Sequence, residues 1–464
     1  MLADEQKSAL YHIDFSFDEL RLGGSAFAQA HGRVGSDVPT CTNPEYFRDA
    51  FNAVQECVRK GLLLAGHDIS AGGLVTTLLE MCFANTKGGM KVNLNSFQCE
   101  DITKILFAEN PGVVVQVSTK HEAEFKKIMD NAGVGYIYIG TPARDRVLHL
   151  RKGDFEDALD IDALRDIWYQ PSHLLDRKQS MNGCADERLK NYKNQPLQWR
   201  MKASSSLPSA GKKRPHAAII REKGTNGERE MAYCLYLAGF DVKDVMMTDL
   251  ITGRETLDDI QMIVFCGGFS NSDVLGSAKG WAGAFLYNPK AKAALDRFYA
   301  RPDTLSLGIC NGCQLMVELR LLGAVGGAAK MLHNTSHKFE SAFLGLTIPE
   351  NNSVLFGSLS GSKLGIWVAH GEGKFHLPQP ESAYNVIAKY SYSGYPANPN
   401  GSDYDVAGLC SADGRHLAMM PHLERAIFPW QCAYYPADRR MDEVTPWFEA
   451  FINARRWCEA HAAQ

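Results

Sequence analysis

The chain has 464 residues, 45% hydrophobic, 22% charged and 10% aromatic, with a formal net charge of -4. Single cores stop growing near about 250 to 300 residues, so two or three domains are expected. The composition excludes a fibre, a wholly disordered chain and nucleic-acid binding through a global positive field.

The N-terminal MLADEQKSALYHIDFSFDEL has acidic residues where a signal peptide needs a basic and then an apolar region. No apolar run approaches the roughly 20 residues that cross a bilayer. The expectation is a cytoplasmic protein with no membrane or nucleic-acid partner. Most of the twelve cysteines stand alone in apolar segments, such as Cys82, Cys234 and Cys266, as reduced buried thiols do. No second closely spaced Cys or His pair completes a four-ligand zinc site, so no metal is expected.

Residues 1 to 175 read as one α/β domain. The spacing predicts a helix over 48 to 66, a strand at 112 to 118, a helix over 121 to 133 and then the strand GYIYIG. HDISAGG (67 to 73) is a polar turn ahead of a helix. It makes His67, Asp68 and Ser70 candidates for an anion or synthetase site, with Ser70 as a plain N-cap the competing reading. From Asp176 to Arg214 there are ten Lys or Arg against three Asp or Glu. Residues 176 to 213 are expected to form a solvated basic linker, draped on a neighbouring surface by Trp199.

Residues 214 to 464 repeat strand and helix. HAAII, DVKDVMM, QMIVFCGG and LSLGIC are strands, with helices between and after them, which predicts a doubly wound, mostly parallel sheet. Ligands of such sheets sit beyond the carboxyl ends of the strands, where CGGF and GICNG fall.

In GICNGC the strand ends at Ile309 and a helix opens near Asn311. Cys310 then occupies the tip of a nucleophile elbow, with Gly308 and Gly312 where side chains would collide. A helix N-terminus favours the thiolate, and the Asn311 N–H, with Gly267 and Gly268 on the neighbouring strand end, can hold an oxyanion. A redox pair with Cys313, or two structural thiols, remain open alternatives. A thiol nucleophile needs a base and an orienting acid. Two His-x-Glu patterns offer them: His422 and Glu424 follow the strand HLAMM and are preferred, while His370 and Glu372 are kept as pocket candidates and His337 as a surface or core histidine.

The pattern G-x-C-x-G-x-Q (308 to 314), the glycine pair and the late P-H-x-E together resemble the class I (triad) glutamine amidotransferase domain. REKGTNGEREM, CGGFSNSDVLGSAKGWAG, HNTSHKFES, AHGEGKF and NPNGS look like the glutaminase end of the large single-chain phosphoribosylformylglycinamidine synthases. LGGSAFAQ, GHDISAGGL and LFAENPGVVVQV resemble the last part of their synthetase region, similar to the C-terminal domain of aminoimidazole ribonucleotide synthetase.

By that resemblance Cys310 is the nucleophile, His422 the general base and acid, and Glu424 the group that orients it. Gln314, Gly267, Gly268 and Phe269 bind glutamine. The resemblance further implies ATP and magnesium in the whole enzyme, at sites mainly on N-terminal synthetase domains outside this sequence, and formylglycinamide ribonucleotide as acceptor. The sequence departs from the family at Ala71, where an Asp is usual, and at Leu423, where a Pro is common. A thiol hydrolase of similar fold without glutamine preference, or a non-catalytic interaction module, would share parts of this pattern.

Overall fold

The computed structural model describes residues 1–4, 7–194, 199–201, 206–207, 214–323 and 329–461, and these divide into two compact units, Met1–Ser172 and His173–Gln464.

The first unit is a seven-stranded sheet of β1 (Ser8–Asp14), β2 (Leu63–Asp68), β3 (Gly89–Asn93), β4 (Gly112–Ser118), β5 (Tyr136–Ala143), β6 (Val147–Lys152) and β7 (Phe155–Asp160), in the order β2-β4-β1-β5-β3-β6-β7. Its pairs are antiparallel except β3 with β6. β4 reads as a continuous β-branched run because it is buried within the sheet. One face packs on the helices Gly73–Phe83 and Ile102–Phe107 through Leu74, Leu78, Met81, Leu106 and their neighbours. The other packs on the helices Pro44–Arg59 and Glu122–Asn131 through Ala50, Val54, Cys57, Phe125 and Met129.

The helix expected over 48 to 66 stops earlier. It runs Pro44–Arg59, opened by the Asn43 side chain, and Gly61 takes a φ of +67° that turns the chain into β2. Leu62 to Leu64 satisfy a helical and a strand pattern equally, and pairing with β4 decides between them.

The second unit holds a nine-stranded sheet of β8 (His216–Arg221), β9 (Asp241–Met246), β10 (Met262–Phe265), β11 (Leu305–Ile309), β13 (Glu340–Thr347), β14 (Lys363–His370), β16 (Asn385–Tyr390), β17 (Val406–Cys410) and β18 (His416–Met419). β12 (Lys330–Leu332) and β15 (Lys374–His376) form a separate ribbon. The order is β14-β13-β16-β17-β18-β11-β10-β8-β9. From β9 to β18 all pairs are parallel, as the strand–helix alternation predicts. From β18 to β14 they are antiparallel. The parallel half carries the elbow. β9 is the edge strand and is largely exposed, whereas β10 and β11 are fully buried on both faces.

The segment expected to be a solvated linker is structured where it is described. Helices Ile161–Gln179 and Cys184–Asn191 cover its first part. Arg188 reaches Glu340 (3.8 Å) and the Tyr395 hydroxyl, while Lys338 pairs with Asp176 at 2.8 Å. Trp199 packs against Phe343 and Tyr435, and Arg200 bridges to Lys363. Asp176, Glu187 and Arg188 thus find partners further along the second unit, which composition alone does not reveal. Residues 195–198, 202–205 and 208–213 of the expected linker lie outside the described residues.

The β11–helix junction is set by close backbone approach. A Cβ on Gly312 would lie 2.0 Å from the Phe265 carbonyl oxygen, and one on Gly308 would lie 2.6 Å from that of Gly312. Gly312→Ala should therefore lower unfolding stability by about 1–3 kcal/mol, the usual cost of overpacking, measured by urea denaturation. An unchanged midpoint would show that the junction has slack.

Candidate active site

Strand β11 ends at Ile309, and Cys310 turns the chain at φ 53°, ψ -107° into the helix Asn311–Glu318. A non-glycine residue held at such a φ is strained, and the surroundings must over-determine it. Here the Cys310 N–H donates to Met419 O of β18 (2.9 Å), and Cys310 O accepts the Gln314 N–H (3.0 Å). The thiol, on a residue 5% exposed, reaches Ala369 O at 3.4 Å. Cys313 lies on the same helix but is fully buried, and burial first, then Cys310, holds its thiol well above the usual pKa. It stays a protonated core thiol, a poor second partner for redox exchange.

His422 follows β18, and its N–H donates to Trp367 O (2.9 Å) on β14. Its Nδ1 is 2.6 Å from Glu424 Oε1, and both side chains are 2% exposed. Gly267 lets this ring come close, since a Cβ there would lie 3.0 Å from His422 Cε1 and 3.4 Å from Cys310 Cβ. Burial opposes protonation of His422, but the Glu424 carboxylate, aided by the Cys310 thiol, outweighs it and pushes the pKa up to about 10. Burial likewise opposes ionisation of Glu424, and the imidazolium outweighs it, so the carboxyl sits below its usual range. Nε2 of His422 makes no hydrogen bond of standard geometry even though Cys310 is among the groups that raise the ring's pKa. His422 and Cys310 line the same pocket, and Nε2 is left available for a reacting group.

The other candidates divide. His370 ends β14, lines the same pocket and is buried; burial, reinforced by His422, pulls its pKa down to about 3. It is thus a neutral wall, its Nδ1 3.2 Å from Asn334 Oδ1. Glu372 turns away from it, accepting the Ser277 N–H (3.3 Å) through its carboxylate and Gln314 Nε2 (2.7 Å) through its backbone carbonyl. Asn311 uses its side chain to tie Ser270 N, Asp273 and Gln314 together. Phe269 keeps its N–H on Gly224 O (2.9 Å) and exposes its ring beside Phe339. Gly268 pairs with Thr225 between two backbone hydrogen bonds made by its neighbours, so its own N–H points away from that ladder. His337 sits at φ 54° in the adjoining loop and is exposed.

Among residues without an assigned role in the sequence, Asn334 stands out. It is fully buried, donates to His370 O (2.7 Å) and Lys338 O, and accepts the Gly373 N–H (2.9 Å), so it fixes the loop carrying His370. Asn226, Asp273, Ser277 and Arg425 also line the pocket, a cavity of about 80 Å³ that opens on Cys310. Larger clefts lie on the first unit, one of about 680 Å³ on the sheet face near Lys91 and Asp157, but that one is lined by no thiol.

His67, Asp68 and Ser70 do not converge on a site. His67 Nε2 pairs with Glu80 (3.2 Å) and Asp68 is largely exposed. The following helix is capped by Gly72 at φ 88°, not by Ser70, and its Gly72 N–H is taken by Glu109 (2.8 Å), which also accepts from Ala26. A carboxylate of the chain itself already stands where an anion would bind, so these residues fit a nucleotide phosphate poorly. Among the described residues no group of three or more His, Cys, Asp or Glu is placed to hold a metal ion, and no helix is long and apolar enough to cross a membrane.

Residues 214–458, more than half of the chain, match the family model of the CobB/CobQ-like glutamine amidotransferase domain. The chain belongs to that family. Residues 10–150 match the C-terminal domain of AIR synthase related proteins. The chain is 38% identical over 485 residues to an Arabidopsis thaliana protein called probable phosphoribosylformylglycinamidine synthase, chloroplastic/mitochondrial, covering 97% of this chain and 34% of that one. It is 38% identical over 497 residues to the Homo sapiens phosphoribosylformylglycinamidine synthase, covering 98% and 36%. It thus spans about a third of the length of the curated relatives it matches.

The His422–Glu424 pair predicts a pH dependence. A histidine pKa raised from 6.5 contributes stability that is complete below 6.5 and lost as pH rises through about 10. A carboxyl lowered from 4.5 contributes stability that is complete above 4.5 and lost at lower pH. The stability advantage of this chain over Glu424→Gln should therefore peak between 4.5 and 6.5 and shrink towards about 10 in denaturation curves taken across pH. A flat difference would show that the pair is not charged.

Proposed function

We propose that the chain is the glutamine-hydrolysing portion of a phosphoribosylformylglycinamidine synthase, and that Cys310, His422 and Glu424 form its catalytic triad. The observation that carries this reading is a strained, pocket-facing thiol beside a buried imidazole that is itself locked to a carboxylate at 2.6 Å.

Cys310, as the thiolate, attacks the side-chain carboxamide of glutamine. The carbonyl becomes an oxyanion held by the N–H groups of Asn311, first in its helix, and Gly268, turned away from its ladder. His422, raised to about 10, enters protonated and passes its Nε2 proton to the leaving nitrogen, releasing ammonia and leaving a glutamyl thioester. The neutral imidazole then takes a proton from water, the hydroxide adds to the thioester, and glutamate departs as the thiolate–imidazolium pair is restored. Gln314 acts from behind, clamping the 370–373 loop, and Phe269 forms the pocket mouth.

In the whole enzyme the ammonia is passed to formylglycinamide ribonucleotide with ATP, giving formylglycinamidine ribonucleotide, ADP and phosphate. Magnesium and the nucleotide are held mainly by synthetase domains outside this chain. All twelve cysteines are unpaired, which supports a reducing compartment such as the cytoplasm.

Incubation with a diazo ketone analogue of glutamine, followed by intact-mass and peptide mapping, should place one adduct on Cys310. Excess glutamine should prevent it, and Cys310→Ala should abolish it. An adduct on Cys313, or labelling that glutamine does not block, would overturn the reading in favour of a thiol hydrolase without glutamine preference. No labelling at all would favour the interaction module.

A further inference from the structure

The pocket at Cys310 is lined, apart from the triad, by one formal negative charge, Asp273, and one formal positive charge, Arg425, among the described residues. Asp273 arrives there at the end of an unusual piece of backbone. Asn271, Ser272 and Asp273 lie in succession at φ 51°, 57° and 48°, all in the left-handed region and none of them glycine. Such conformations persist only where surrounding contacts sustain them, and they cluster where a side chain must be aimed. Here the contacts are the Asn271 N–H to Lys223 O (2.7 Å), the Ser270 N–H to Asn311 Oδ1 (3.1 Å), and Gly280, where a Cβ would lie 3.0 Å from the Asn271 amide.

The carboxyl so delivered is poorly served. Its contacts to Asn311 Nδ2, Ser277 Oγ and Ala278 N are all 3.3 Å, at the long end of hydrogen bonding, and no Lys, Arg or His among the described residues pairs with it. Burial, with Glu372 adding to it, raises the Asp273 pKa, so an incoming cation would relieve it. Arg425 also has capacity to spare. Its Nη2 donates to Asn226 Oδ1 (3.2 Å) and its Nε stands 3.8 Å from Glu424, which leaves donors of the guanidinium unused.

Free glutamine presents its carboxamide to the thiol and carries, at its other end, one ammonium and one carboxylate. We propose that Asp273 receives the α-ammonium of glutamine, with Arg425 facing the α-carboxylate, so that the pocket accepts the free amino acid and rejects amides that lack the ammonium. This rests on the glutaminase reading and adds the substrate determinant to it.

The test compares Cys310 alkylation rates of the full chain and its Asp273→Asn variant towards two probes, the diazo ketone analogue of glutamine and iodoacetamide, which has no ammonium. Loss of a charge-assisted hydrogen bond should slow the diazo ketone on the order of 10- to 100-fold in the variant, with the iodoacetamide rate unchanged and partial recovery in Asp273→Glu. An equal ratio of the two rates in both proteins would reduce Asp273 to a loop-tying residue and overturn the proposal.

A second measurement needs no variant. Glutamine should protect Cys310 from iodoacetamide at concentrations on the order of 10- to 100-fold below those of glutaramate, the same amide without the ammonium. Equal protection overturns the proposal while leaving the glutaminase reading intact, whereas no protection by either, with no diazo ketone adduct on the unaltered chain, defeats both.

Discussion

The site depends on one constraint, the turn that carries the backbone from a buried central strand into a helix within a single residue. β11 lies between two parallel neighbours, so its end is fixed on both sides, and the helix after it must fold back over β10 so closely that Gly312 touches the Phe265 carbonyl. Cys310 absorbs the change of direction at φ 53°. The first turn of the helix inherits that geometry. Asn311 is positioned to tie down the 270–273 segment, and Gln314 to hold the loop after β14. The residue that displays the thiol is thus the first of a short stretch that also assembles the pocket around it.

The electrostatics come from burial. Two ionisable groups with 2% exposure would ordinarily both be neutral, yet at 2.6 Å each stabilises the other's charge. The neighbouring His370 has no such carboxylate, and the same burial pulls it down to about 3. One imidazole of the pair can therefore carry a proton into chemistry, and the other shapes the wall without competing for it.

Local pattern reveals those features that are local in the chain. The elbow is legible because a buried strand, two glycines at forced spacing and a helix start within a few residues of each other leave few other structures for Cys310. His422 and Glu424 are legible as a His-x-Glu pair directly after a sheet strand, although the segment turns into the short 3-10 helix Leu423–Arg425 instead of running extended. Asp273 and Asn334 are not. The first depends on three left-handed residues that no composition rule anticipates, and the second on hydrogen bonds to loops about forty residues away in sequence. The boundary near Leu62 escapes the pattern because a short apolar run suits helix and strand alike, and the cap at Ser70 because Gly72 supplies it instead. The basic stretch after residue 176 misleads for a different reason, since charge reports solvent affinity but not the partners that a fold brings to it.

That stretch also moves the start of the body that holds the pocket. The compact unit around Cys310 begins at His173, well before residue 214, where the family match starts. Helix Cys184–Asn191 grips Tyr395 from both sides, with Glu187 taking its N–H and Asn191 donating to its carbonyl, and Arg188 offers a cation to the buried Glu340. Glu340 shares Ser336 and Lys338 with the loop that Asn334 anchors beneath His370. The stretch ahead of the family domain is thereby joined, through Arg188, Glu340, Ser336 and Asn334, to the loop that carries His370, so the pocket wall has a footing in sequence that the family match leaves out.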